Sequence, residues 1–436
     1  MKHILVINRW AGPTVDYESW LDHRSHRISY LASGRRLAAL APLRERFGAA
    51  VREVDTDNVD EVIAAARDIE RQVGTIDGVV ALAEMDLLPA ARVRECLGIP
   101  GDRLEDLIAV RDKRVMKRRM RAAGARVAAF TSCEDAASLE DFVRRHGFPL
   151  VVKPARGYGG YWVQVLSSQA ELQAALADVE RRDWMCETYV NGQLYHADGL
   201  VEAGRVSLCR AWRYVNTPLA YNRAEPLGGY VVDSPRLAGL VLELAQTAAD
   251  ALGVTSVFHL EFFETDDGDL VFSEIAARTG GGPINELFRD LYGVDLLASH
   301  AAAQAGVEPP HRRLVEEAHY LIAGYLCFPE PHERPARVTR VADVAGGISE
   351  IYKARVPEVG TIFDSSASHL DVAGEFLYRG STTRQVRAAI DRTLEKFTVE
   401  WESAPLATAT DATPTLEEAL RGRLERRVDV FEDPRP

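Results

Sequence analysis

The 436-residue chain reads as an α/β protein that becomes α+β beyond its first domain. Short apolar runs alternate with helical spacing over the first hundred residues, the mark of a small open sheet covered by helices. After Gly147 and Pro149 that alternation gives way to strands separated by glycine-bearing turns. The composition, 47% hydrophobic and 27% charged, is that of an ordinary globular chain, and the length suits several domains.

The opening apolar run, 3–7, ends at the polar pair Asn8 and Arg9 and predicts a buried strand. Helical spacing over 37–47, 59–73 and 87–97 alternates with strand candidates at 51–54 and 76–82, giving an N-terminal domain over 1–103. One long helix is expected over 104–123, closed by Gly124, and another over 139–146. Strands follow at 150–153, 161–166, 184–190 and 195–201. A helix at 237–252 precedes two further strands, 257–263 and 270–275. Asp266-Asp267-Gly268-Asp269 between them is a hairpin turn with a solvated acidic tip, since no calcium-ligand series surrounds it. Residues 104–308 thus form a central region with a smaller subdomain near 127–192. A third region, 309–403, holds strand candidates at 319–328 and 336–344 and a closing helix at 386–397. An Ala/Thr/Pro linker and a charged helical tail occupy 404–436.

A formal net charge of −13 argues against a broad nucleic-acid surface. Within this acidic chain, Lys113, Arg114, Lys117, Arg118, Arg119 and Arg121 make one basic helix, for which a solvated face is the plain reading. The five cysteines are scattered without a CxxC pair, so neither a disulfide framework nor a zinc knuckle is indicated. The N-terminus is too soon polar for a signal peptide, and no apolar stretch is long enough to span a bilayer. A cytoplasmic protein without membrane or nucleic-acid partners is expected, with a homodimer the default assembly.

The segment Val151-Val152-Lys153-Pro154-Ala155-Arg156-Gly157-Tyr158-Gly159-Gly160 carries chemistry. A strand delivers a lysine as a point charge for phosphate oxygens, and the glycines let backbone N–H groups approach the same oxygens. It matches neither a Walker A loop nor GxGxxG. Further on, Glu261 and Glu274 are carboxylates set in apolar strands, where each needs a cation or a donor. The short turn between the strands makes them an antiparallel pair, which can set both carboxylates on one face as oxygen ligands for Mg2+; for either alone, a structural salt bridge is the alternative. Arg278 and the glycines 280–282 follow as a cationic loop suited to a transferring phosphoryl group. His259 should share the face of Glu261, either touching substrate or as a satisfied core histidine.

Taken in order, Lys113 in its helix, the Lys153 strand and glycine loop, Cys186-Glu187-Thr188-Tyr189-Val190-Asn191-Gly192, the Glu261 strand and Glu274-Ile275-Ala276-Ala277-Arg278 resemble the ATP-grasp superfamily. FHLEFF followed by EIAARTGGG looks most like the bacterial L-amino acid ligases and related carboxylate–amine ligases. The resemblance, which runs over roughly residues 1–400, implies an ATP-grasp fold with an N-terminal α/β domain and a C-terminal α+β region that completes the substrate site. It implies that Lys113 and Lys153 contact ATP phosphates, that Gly157, Gly159 and Gly160 cover them, and that Glu187 and the backbone at Val190 lie at the adenine hinge. Glu261 and Glu274 would hold Mg2+, or Mn2+ in its place. Arg278, with Lys153 and Gly160, would serve phosphoryl transfer.

The sequence departs from the family pattern at three points. Leu194 stands where a ribose-binding acid is common, leaving Asp198 or another residue to supply that contact. Ala276 stands where a metal-binding asparagine is common, leaving two glutamates, or Asn285, to do the work. Gly160 replaces a loop serine found in some relatives. The implied reaction is ADP-forming: a small carboxylate takes the γ-phosphoryl group to give an acyl phosphate, which an amine, with an amino acid among the substrates, converts to an amide. The amine site is expected from the third region and the loop after Gly282, with Arg9, Trp10 and Tyr17 at the carboxylate entrance. The alternatives are a carrier-bound or thiol acceptor, or a nucleotide-binding regulatory protein that has lost turnover.

Overall fold

The computed structural model describes residues 1–10, 15–34, 36–177, 181–309, 321–331, 333–364 and 372–404. The expected tail at 405–436 and the start of the 319–328 strand lie outside them.

The chain opens with four parallel strands in the spatial order Ala50–Glu53, Arg27–Ala32, His3–Asn8 and Gly78–Ala81. All six residues of His3–Asn8 are buried, as a central parallel strand covered on both faces requires. Ile4 and Val6 point into one apolar cluster with Ala298, Ala301 and Ala305, while Leu5 and Ile7 point into another with Val62, Ala66 and Ala90. The Arg27–Ala32 strand is absent from the sequence reading. Its apolar run is short and follows a charged stretch, and its register against His3–Asn8 is set by tertiary pairing, with Ser29 Oγ 2.9 Å from His3 Nε2. Gly78 is dictated by packing, because a Cβ there would lie 3.1 Å from the Ala305 backbone.

The single helix expected over 104–123 is two, Leu104–Arg111 and Lys113–Ala122. Asp112 breaks it, with extended backbone (φ −97°, ψ 107°) and a carboxylate that accepts the Arg114 N–H as an N-cap. The Lys113 N–H then donates to the Ala155 carbonyl at 2.8 Å, fixing the new helix against the loop after Leu150–Pro154. That strand belongs to a small antiparallel sheet ordered Phe130–Ser132, Trp184–Thr188, Leu150–Pro154 and Gln164–Leu166. The helices Ala136–His146 and Gln169–Ala175 contribute Leu139, Phe142 and Leu172 to its core.

The large sheet has eight strands, ordered Leu270–Ala276, Val257–Glu264, Gln193–Glu202, Arg205–Tyr214, Leu227–Val231, Ile322–Pro329, Val372–Gly380 and Ile351–Arg355. Strands from both sides of residue 308 thus share one sheet. The helix Pro235–Leu252 packs Leu237, Val241, Ala245 and Leu252 with Tyr195, Phe258 and Phe262 in one core. Helices Ile284–Tyr292 and Leu296–Ala305 follow Glu274 and Arg278, and the first covers Trp212 with Phe288. A three-stranded sheet of Ile362–Phe363, Ala336–Val341 and Val399–Ser403 completes the described residues. No described helix is long and apolar enough to cross a membrane.

Candidate active site

Strand pairing sets the frame. Val257–Glu264 and Leu270–Ala276 are antiparallel, and Glu261 stands directly opposite Glu274, so the two carboxylates share a face as the sequence predicts. On the other side Glu261 stands opposite His196, and His259 opposite Asp198. The turn at the far end is a hairpin in which Thr265 N–H bonds the Asp269 carbonyl and Arg126 pairs with Asp267 and Asp269.

Three lysines converge on this face and on the small sheet. Lys113 Nζ lies 2.9 Å from Glu274 Oε2 and donates to the Gly157 carbonyl at 2.7 Å. Lys153 Nζ lies 2.5 Å from one oxygen of Glu187, and Lys117 Nζ lies 3.1 Å from the other. Burial opposes the charge on Glu187, but the two ammoniums win and hold its carboxyl down to about 2. Burial also opposes the charge on Lys153, yet Glu187, Glu274 and Glu261 raise its pKa above the usual value. For Lys117 burial prevails and its pKa falls. Lys117 is thus no part of a solvated helix face, its side chain being only 1% exposed. The helical spacing that puts Lys117 one turn beyond Lys113 was its one visible signal.

The glycine loop lies beside these lysines. Gly159 and Gly160 have positive φ (63° and 71°), and the Gly159 carbonyl accepts from Asn222 Nδ2 at 3.0 Å. A Cβ on Gly160 would lie 3.2 Å from the Pro218 carbonyl carbon, so the loop rests close against the Pro218–Tyr221 helix. Past Glu187, the 188–192 connection is anchored by Thr188 N–H to the Ala129 carbonyl at 2.9 Å, with Val190 half-buried.

Arg278 meets a partner the sequence reading missed. Its Nε lies 2.5 Å from Glu84 Oε2, and the other Glu84 oxygen pairs with Arg111. Burial disfavours the Glu84 carboxylate, but Arg111 and Arg278 hold it down to about 2. Glu84 follows the Gly78–Ala81 strand directly, where a parallel sheet presents its loops; that position was the available signal.

Asp198 is not placed to meet a ribose. It is fully buried, 2.7 Å from His196 Nδ1 and 2.9 Å from His259 Nδ1, and it accepts the Gly280 N–H at 3.1 Å. One ligand atom each from His196, Asp198 and His259 falls within a 4.8 Å span. The separations of 2.7 and 2.9 Å are hydrogen-bond lengths, shorter than the roughly 3.3 Å between two ligands of one tetrahedral zinc ion, and three donors already occupy the carboxylate. Burial disfavours a charged His259, but Asp198 raises its pKa to about 9, and its Nε2 lies 3.6 Å from Glu261 Oε1. Tyr214 donates to the same oxygen at 2.8 Å. Asn285 is likewise committed, its Oδ1 accepting the Leu297 N–H at 3.0 Å. The expected carboxylate entrance is corrected too. Tyr17 is core, its hydroxyl on Asn8 at 3.2 Å, and Arg9 pairs with Asp57 at 2.8 Å and Asp86 at 2.7 Å.

Glu261 and Glu274 suit a hard divalent cation. They are oxygen donors in register, their side chains 16% and 28% exposed, and the Lys113 ammonium already lies against Glu274 as a cation would.

An α/β domain, a small antiparallel sheet bearing one lysine, and a large sheet bearing paired carboxylates make up the ATP-grasp fold, and that is the fold of this chain. Residues 112–194 match the model of the carbamoyl-phosphate synthase L chain, ATP binding domain. The chain is 26% identical over 238 residues to the L-arginine-specific L-amino acid ligase of Bacillus subtilis, covering 52% of this chain and 57% of that protein. It thus spans little more than half the length of this curated relative. The crystal structure of an L-amino acid ligase from Bacillus licheniformis superposes with a TM-score of 0.69 at 16% identity, over 92% of this chain and 99% of that one. The biotin carboxylase domain of the Hydrogenobacter thermophilus 2-oxoglutarate carboxylase, solved with MgADP, ADP and bicarbonate, gives 0.65 at 17% identity, over 92% and 91%.

Proposed function

We propose that this chain is an ATP-dependent ligase joining a carboxylate to an amine, with an amino acid among its substrates. The observation that carries the reading is the convergence of Lys113 on Glu274 and of Lys153 on Glu187, which gathers residues from four separate segments around one cleft. Each of the two lysines rests on a carboxylate and can move to a phosphate oxygen with little reorganisation. The glycine loop 157–160 covers the triphosphate, with Val190 and the backbone around Glu187 along the adenine. Glu261 and Glu274 hold Mg2+, or Mn2+, which when bound neutralises phosphate charge. Tyr214 and His259 orient Glu261 for that task.

The substrate carboxylate attacks the γ-phosphorus, ADP leaves, and Arg278 offsets charge on the transferred group. The resulting acyl phosphate is attacked by an amine, which loses a proton as phosphate departs. No protein nucleophile is needed; alignment and exclusion of water do the work.

The test is Mg2+-dependent ADP release from ATP against pooled amino acids and other small carboxylates, with mass spectrometry of each active pool. A product mass equal to acid plus amine minus water is expected. Nucleotide binding without ADP from any pool of acids and amines would overturn the free-amine reading.

A further inference from the structure

Lys117 sits four residues beyond Lys113, where the helix turns inward between Met116 and Met120, both buried in the core. An ammonium there carries a desolvation cost that methionine would avoid, so its retention calls for a reason. Its side chain is 1% exposed, against 8% for Lys153 and 9% for Glu187. Glu187 is therefore held from two sides, by Lys117 from the more deeply buried one.

We propose that Lys117 is a positioning residue of the nucleotide cleft, neutralising Glu187 from behind so that Lys153 is available to a triphosphate. This rests on the nucleotide reading above. Without Lys117, Glu187 and Lys153 form a neutral pair, and an incoming polyanion must break it to gain the lysine. With Lys117, the three-group cluster carries one net positive charge, and Lys153 can turn to phosphate without stranding a buried carboxylate. Lys117 touches no substrate in this scheme; it acts through Glu187.

The experiment measures binding of magnesium AMP-PNP to the full chain by isothermal titration calorimetry. Lys117→Met is expected to raise Kd about tenfold, the effect of one charge a few ångströms from the triphosphate-facing lysine. The double variant Lys117→Met/Glu187→Gln, which restores the cluster's net charge, is expected to regain about fivefold of that loss. A simple packing role would not be reversed by removing the carboxylate. Unchanged affinity in Lys117→Met, or a double variant no better than the single one, overturns the assignment. Should Lys117→Met fail to fold, the double variant is measured alone, with Lys153 as the one remaining charge of the three and Glu274 and Glu261 still acting on it; retained binding supports the assignment and lost binding overturns it. A wild-type chain that binds no AMP-PNP overturns instead the nucleotide reading beneath it.

Discussion

At the scale of single residues, the site is built from largely buried charges that pair with one another. Lys113 against Glu274 and Lys153 against Glu187 are the two pairs closest to the proposed chemistry. Glu274→Ala and Lys153→Ala are each expected to cut substrate-dependent ADP release at least about a hundredfold while the folded far-ultraviolet dichroism persists. Full turnover in either variant would remove that residue from the machinery. Of these four residues, Lys153 and Glu274 stand out by local composition, a lysine before glycines and a carboxylate in an apolar strand, whereas Lys113 and Glu187 are singled out only by the resemblance of their segments to ATP-grasp enzymes. Lys117 and Glu84 were not legible in the same way. One is masked by the cationic residues around it, the other lies in an unremarkable loop, and only their partners, 70 and 194 residues away, give them meaning.

At the scale of elements, the decisive feature is the break at Asp112. The apolar and basic spacing runs across it without interruption, so the sequence pattern reads as one helix. What interrupts it is the competition between the helix and the side-chain cap, reinforced by Arg114 at 2.8 Å and by the Lys113 N–H on Ala155. The break makes Lys113 a first-turn residue. Asp112→Ala removes the cap and is expected to cost about 1 kcal/mol of stability, a typical value for a lost N-cap. Because a repaired, longer helix turns Lys113 away from Gly157 and Glu274, a several-fold rise in the KM for ATP should accompany the lower Tm. A lower Tm with an unaltered KM would show the break to be structural only. The antiparallel pairing of the strands bearing Glu261 and Glu274 was legible from the short acidic turn, but their shared face was not fully so: the register set at the turn would place Glu261 opposite Ser273, and a bulge between Glu261 and Phe262 brings Glu274 there instead. The strands Arg205–Tyr214 and Leu227–Val231 were not legible, their pattern being diluted by polar residues and by the paired glycines Gly228 and Gly229.

At the scale of the whole molecule, Glu84 carries a tie between the N-terminal sheet and Arg278, two parts of the chain that share the site. Glu84→Gln keeps the shape and removes the charge. The expected outcome is a fall in kcat of about tenfold or more, with the Kd for magnesium AMP-PNP within about twofold of wild type, since Arg278 is needed only as charge develops. A parallel loss of nucleotide affinity would show that Glu84 shapes the nucleotide site rather than the transfer step.

The helix Leu296–Ala305 has a consequence for biosynthesis. It fills one face of the N-terminal sheet with Ala298, Ala301 and Ala305. At the sheet's edge Gln304 Oε1 accepts the Ala81 N–H at 2.8 Å, while its Nε2 donates to the Ala81 carbonyl at 2.9 Å, as a neighbouring strand would. In a growing chain this face, with Ile4, Val6 and Val80, therefore has only the early residues of its cluster, Tyr17, Trp20 and Leu40 among them, to cover it until some two hundred further residues have been made. At about 5–20 residues per second that interval is roughly 10–40 s. During it the first hundred residues offer an incompletely covered apolar face to chaperones, and a domain made early is among the last to be finished.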